Sequence, residues 1–208
     1  MSLNFFTFNI MSTFLYIFSF IVSALICSFS YKAYKITKEK KFRNFLFAFG
    51  FITLSFVTQT ITNIFVYINL KSGLDISYFV NKGFIIYAFL TIVGFFILAV
   101  MSLKIKDIKM ISLLASIIFI FIIYSKAFIV AFRVVTLLLL TFITFTFYKN
   151  YYEKKTGNSM LVFFSFLLMT ISQFFYIGGR FNEIIFIIGN AFLFIGYVLL
   201  FVTILRFK

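Results

Sequence analysis

From residue 9 to residue 204 the chain is a near-continuous succession of apolar runs, each about as long as a bilayer is thick. A hydrocarbon core of about 30 Å takes roughly 20 helical residues to cross. Seven such runs occur, at 9–30, 45–67, 80–102, 109–126, 129–148, 159–178 and 184–204. None shows the period-two alternation of a membrane β-barrel strand. The expected fold class is therefore all-α: a polytopic membrane protein of seven transmembrane helices. No stretch outside the spans is long enough for a separate soluble domain, so residues 1–208 are expected to form a single membrane unit.

A net charge of +14 in a soluble chain would point to nucleic acid. Its distribution here points to a membrane surface instead. Lys32, Lys35, Lys38, Lys40, Lys41 and Arg43 follow the first span, and Lys104, Lys106 and Lys109 follow the third. Lys149, Lys154 and Lys155 follow the fifth, and Arg206 and Lys208 the seventh. The opposite side carries only Lys71, Lys82, Lys126 and Arg180, with Arg133 near it. The positive-inside rule then sets the N-terminus outside and the C-terminus in the cytoplasm, in a plasma membrane. The basic face would attract anionic lipid headgroups, at about 1 kcal/mol per nearby cation. The start, MSLNFFTFN, lacks the positive region of a signal peptide, so the first run is expected to remain as a helix.

Two loops say nearly the same thing. Residues 34–44 read YKITKEKKFRN and residues 148–158 read YKNYYEKKTGN. Aligned at an offset of 114, residues 31–59 and 145–173 share nine of 29 positions, among them Glu39/Glu153, Asn44/Asn158 and Gln59/Gln173. The third and seventh spans align at an offset of 102, where Gly94 meets Gly196 and Lys104 meets Arg206. These matches predict a parallel 3+1+3 plan: a first unit over about 9–104, a linker helix over about 109–126, and a second unit over about 129–208. An odd number of spans in between is what lets the two units run in the same direction.

The plan is similar to that of SWEET-type and PQ-loop proteins, whose repeats are related by an axis along the membrane normal. Their proline hinges have no counterpart in a chain without proline. The segment YKAYKITKEKKFRNFLFAFGFITLSF, residues 31–56, resembles the first cytoplasmic turn of prokaryotic seven-helix sensor modules. That resemblance implies a receptor-like module which passes its signal to a separate partner.

Polar groups inside a membrane are costly and so mark candidate sites. Gln59 and Asn63 share a face of the second span, Gln173 lies on the sixth, Asn190 on the seventh, and Arg133 near the start of the fifth. Together they predict an outward-facing pocket suited to anionic or hydroxyl-bearing ligands. Tyr87, Thr91, Tyr176 and Tyr197 are expected nearby. Ser12, Tyr16, Ser19, Ser23, Cys27 and Ser30 form a small-residue stripe on the first span, of the kind that lets helices approach closely. Gly189 and Gly196 form a similar seam on the last span.

The five acids, Glu39, Asp75, Asp107, Glu153 and Glu183, all fall in loops or at span ends, and the chain has no histidine. A proton relay, a metal centre, a haem and a Ser-His mechanism therefore all lack their usual groups. No enzyme, catalytic residue, metal or cofactor is expected. The first expectation for function is a sensor-like module with a membrane or cytoplasmic protein partner. The alternatives are an uncoupled small-solute carrier and a scaffold subunit of a membrane complex.

Overall fold

The computed structural model describes residues 3–69, 77–105, 107–125, 127–179 and 183–206. Lys71, Asp75, Lys106, Lys126, Arg180 and Lys208, all invoked above, lie outside the described residues. The described residues form seven helices: α1 (Leu3–Thr37), α2 (Lys40–Asn69), α3 (Ser77–Ser102), α4 (Ile108–Tyr124), α5 (Phe128–Lys154), α6 (Gly157–Gly178) and α7 (Glu183–Arg206). All but α4 contain a span long and apolar enough to cross a membrane. With 17 residues, α4 is about 25 Å long.

Six helices close a ring in the order α1–α2–α3–α5–α6–α7, with α7 returning to α1. The seventh helix, α4, lies outside this ring against α5. Helix directions follow from which rings meet. On α3, Phe84 meets Phe128 and Phe132, and Tyr87 meets Phe132, so α3 and α5 advance the same way. The chain must then return along the bundle between Ser102 and Phe128, and α4 is the element that carries it. The hairpins α1–α2, α2–α3, α5–α6 and α6–α7 are antiparallel. One end of the bundle therefore collects the C-termini of α1, α3, α5 and α7, together with the described lysines and arginines that follow them.

Local chemistry sets the corners at that end. α1 ends at Thr37, and Lys38 then adopts a left-handed conformation (φ 56°), its N–H donating to Tyr34 O at 2.9 Å. α5 ends at Lys154, and Lys155 does the same (φ 49°), donating to Tyr151 O at 2.8 Å. A left-handed residue after the last turn satisfies an otherwise unpaired carbonyl, and lysine there complements the negative end of the helix dipole. The next helices begin at Lys40 and Gly157, the second capped by the Thr156 hydroxyl, which accepts from Ser159 N.

These corners recur at a different spacing from the loop phrases. Helix ends, left-handed caps and capped tyrosines recur at a spacing of 117, not 114. Buried positions recur with them: Ser19/Thr136, Val22/Leu139, Ile26/Ile143, Phe49/Phe166 and Ser55/Ser172. A slip of three residues moves a helix one turn along its axis but rotates its face by only about 60°. The Glu-Lys-Lys triplets thus pull the alignment aside without spoiling the apolar pattern. At a spacing of 117, Gln173 falls on Phe56 and Gln59 on Tyr176, so this spacing does not match the two glutamines. The offset of 102 for α3 and α7 agrees with the packing. An added Cβ at Gly94 would lie 2.9 Å from Ala48 O, and one at Gly196 3.0 Å from Ser165 O. Ala48 and Ser165 are themselves 117 apart.

Candidate functional site

Arg133 sits five residues into α5, and Gln173 five residues before the end of α6, so the antiparallel pair puts them at one depth. Helices rise about 1.5 Å per residue, which places both roughly 8 Å below that end of the bundle. A long side chain here would ordinarily snorkel to the surface. Arg133 turns inward instead and is only 7% exposed. Its guanidinium donates to Gln173 Oε1 at a long 3.4 Å and lies 4.3 Å from the centre of the Tyr176 ring. It also stands 5.1 Å from the centre of the Phe132 ring.

All of these partners are neutral. Among the described residues the one ion pair is Lys41–Glu39, 2.6 Å apart and well exposed, which contributes little. A charge buried in a weakly polar interior is costly unless another charge compensates it. Amide and aromatic partners hold the Arg133 guanidinium in place without neutralising it.

The structure gathers a second group around this one. The Tyr176 hydroxyl donates to Asn190 Oδ1 at 2.6 Å, which fixes the ring that faces Arg133. Gln173 Nε2 donates to Ser172 Oγ at 3.3 Å, which turns the amide carbonyl towards the guanidinium. Arg133, Gln173 and Asn190 thus form one buried cluster. Gln59 and Asn63 do not join it; they pair with each other along α2, Gln59 Nε2 donating to Asn63 Oδ1 at 3.2 Å. Gln59 Oε1 is buried without a hydrogen-bond partner among the described residues.

At the heart of the cluster is a cavity of about 20 Å³, enough for one water-sized body. It is lined by Arg133, Thr136, Gln173, Tyr176, Tyr87, Thr91 and Tyr197, with apolar walls from Ile52, Phe56, Phe95, Phe132 and Leu193. An open outward pocket was expected from the sequence, but the aromatic rings fill that space. Tyr16, Tyr87 and Phe132 pack at centroid distances near 6 Å, and Phe56 meets Tyr197 edge-on at 5.5 Å. A larger groove of about 500 Å³ lies outside, between α1 and α2, lined by residues such as Cys27, Gly50 and Phe51 and by no charged group.

The lining falls into corresponding pairs: Phe56 with Gln173, Thr91 with Leu193, and Phe95 with Tyr197. Tyr16 falls on Arg133 at the same spacing of 117. The polar members come mainly from α5–α7, and α2 and α3 supply mostly aromatic walls. Tyr16 and Thr136 were not legible as site residues. Tyr16 reads as one more member of the α1 stripe, and only the spacing of 117 from Arg133 singles it out. The rest of that stripe is packing: Ser12, Ser19, Ser23 and Ser30 are all buried.

Among the described residues no three His, Cys, Asp or Glu side chains gather as metal ligands. Residues 13–104, under half of the chain, match a family of unknown function (DUF7521). The matched segment runs from α1 to just past the end of α3. No curated protein and no solved structure matches the chain.

Proposed function

We propose that the protein is a non-enzymatic, sensor-like module of the plasma membrane that binds a small anionic ligand at Arg133. The observation that carries this reading is the buried guanidinium held only by neutral partners. An anion entering the cavity relieves an electrostatic penalty already present in the fold, so binding is coupled to the packing of α5 and α6 around it. The basic end of the bundle is cytoplasmic, the N-terminus is outside, and α4 is the seventh span. The parallel course of α3 and α5 supports that crossing, because the chain has to return between them.

The two three-helix units are related copies joined by α4. The recurrence of caps, buried positions and cavity-lining pairs supports this, and the family match that ends just after α3 fits a unit of that size. The copies are unequal at the site, which favours sensing over transport. Towards the basic end the buried side chains Phe49, Leu98, Leu140, Ile143, Phe166 and Met169 form a packed core, which suits binding without passage. A change at Arg133 reaches the cytoplasmic corners through α1 and α5, where Lys38 and Lys155 offer a charged surface to a protein partner and to anionic lipid.

The test is the melting temperature of the purified protein against a panel of small anions and hydroxyl-bearing solutes. Wild type is expected to shift by several degrees with at least one anion, and Arg133→Gln by none. A wild-type protein that answers to no solute contradicts ligand binding and turns attention to the scaffold role.

A further inference from the structure

Resting on the reading just given, we infer that the ligand class of the Arg133 cavity is a monatomic anion, a halide. Three observations converge. The first is charge: the guanidinium is 93% buried and faces an amide and aromatic rings, with no carboxylate beside it among the described residues. The second is size. A cavity of about 20 Å³ accepts a body like a water molecule, and a chloride ion is only a little larger. Carboxylates, phosphate and sulfate would have to push apart the rings of Phe56, Phe132 and Tyr197.

The third is the donor set. A guanidinium carries five N–H groups, of which Gln173 occupies one, and it can turn others to the cavity. Tyr87 and Tyr197 line the same cavity, and each carries a hydroxyl able to donate. Nearby competing acceptors are already engaged: Gln173 Oε1 with Arg133, and Asn190 Oδ1 with Tyr176. A spherical anion makes no demand on acceptors and none on planar bidentate geometry. It suits donors that converge from different helices, and the cavity lies where α2, α3, α5, α6 and α7 meet. Halide binding there ties the two halves of the ring together.

The experiment measures melting temperature in chloride and bromide against gluconate and sulfate, all at one ionic strength. Wild type is expected to rise by roughly 5 °C in saturating halide and to be flat in the large anions. Arg133→Gln is expected to lose the response, and Arg133→Lys to keep part of it. If Arg133→Gln yields no folded protein, the Tyr87→Phe/Tyr197→Phe pair serves, with the halide midpoint expected about tenfold higher. Equal responses to chloride and gluconate, or a halide response that survives Arg133→Gln, overturn the halide assignment. A response confined to carboxylates and lost in Arg133→Gln also overturns it, while leaving the anion pocket standing. No response to any anion removes both.

Discussion

Gln173→Leu is expected to lower the stability of the protein by roughly 2–3 kcal/mol, and adding Arg133→Leu to the same chain should restore most of that loss. The single change removes the amide carbonyl that accepts from the guanidinium and leaves a buried cation with one fewer partner. The second change removes the cation itself, and two leucines can pack with their apolar neighbours. An ordinary interhelical hydrogen bond behaves differently. Thr144 and Thr170 share one at 2.8 Å, and such bonds contribute about 0.6 kcal/mol on average in membrane proteins. The Thr144→Val change is the internal reference for that smaller effect. Chemical denaturation in detergent reads all four chains of the cycle. If Gln173→Leu costs no more than Thr144→Val, Arg133 is not an uncompensated charge and the electrostatic argument fails.

Gly94→Ala is the other large effect. A Cβ there would lie 2.6 Å from Ile52 Cγ1 and 2.9 Å from the backbone oxygen of Ala48, so α2 and α3 must separate. Overpacking of this kind costs about 1–3 kcal/mol, and the gain in helix propensity from glycine to alanine returns only about 1. A net loss near 2 kcal/mol is expected. Gly196→Ala should lose less, since its nearest side-chain neighbour is the adaptable Met169 Cγ at 3.0 Å. Gly50 has nothing within 4 Å of an added Cβ, and Gly50→Ala is expected to be neutral or stabilising. Thermal unfolding of the three variants ranks them. Loss of stability at Gly50 equal to that at Gly94 would contradict the close seam between α2 and α3.

The helices were legible because lipid leaves the backbone few choices: every N–H and C=O must pair within its own segment, so an apolar run of span length becomes a helix. The glycine seam of α7 was legible for a related reason, as Gly189 and Gly196, seven apart, let backbones meet, whereas the close approach at Gly94 emerged only from the packing. Register was harder. The strongest identities, Glu-Lys-Lys at 39–41 and 153–155, lie in the exposed corners, where packing does not select them. The buried matches that follow a spacing of 117, such as Phe49/Phe166, are the commonplace apolar residues of any span.

The site divides along the same line. Arg133, Gln173 and Asn190 stood out as polar groups in apolar runs, and the structure brings them together. Gln59 and Asn63 stood out equally, but they share one hydrogen bond four residues apart on α2 and leave Gln59 Oε1 unpartnered, which the sequence pattern alone could not separate from a shared pocket. Tyr16 was hidden, because a tyrosine in a serine stripe looks like packing until the Tyr87 ring it meets is known.

The most direct test of a sensor that binds without transporting is uptake of chloride into sealed vesicles carrying the purified protein, measured beside binding on the same preparation. The expected result is saturable binding that depends on Arg133 and no flux above that of protein-free vesicles. Chloride entry that saturates and disappears in Arg133→Gln would contradict the account and make the bundle a carrier.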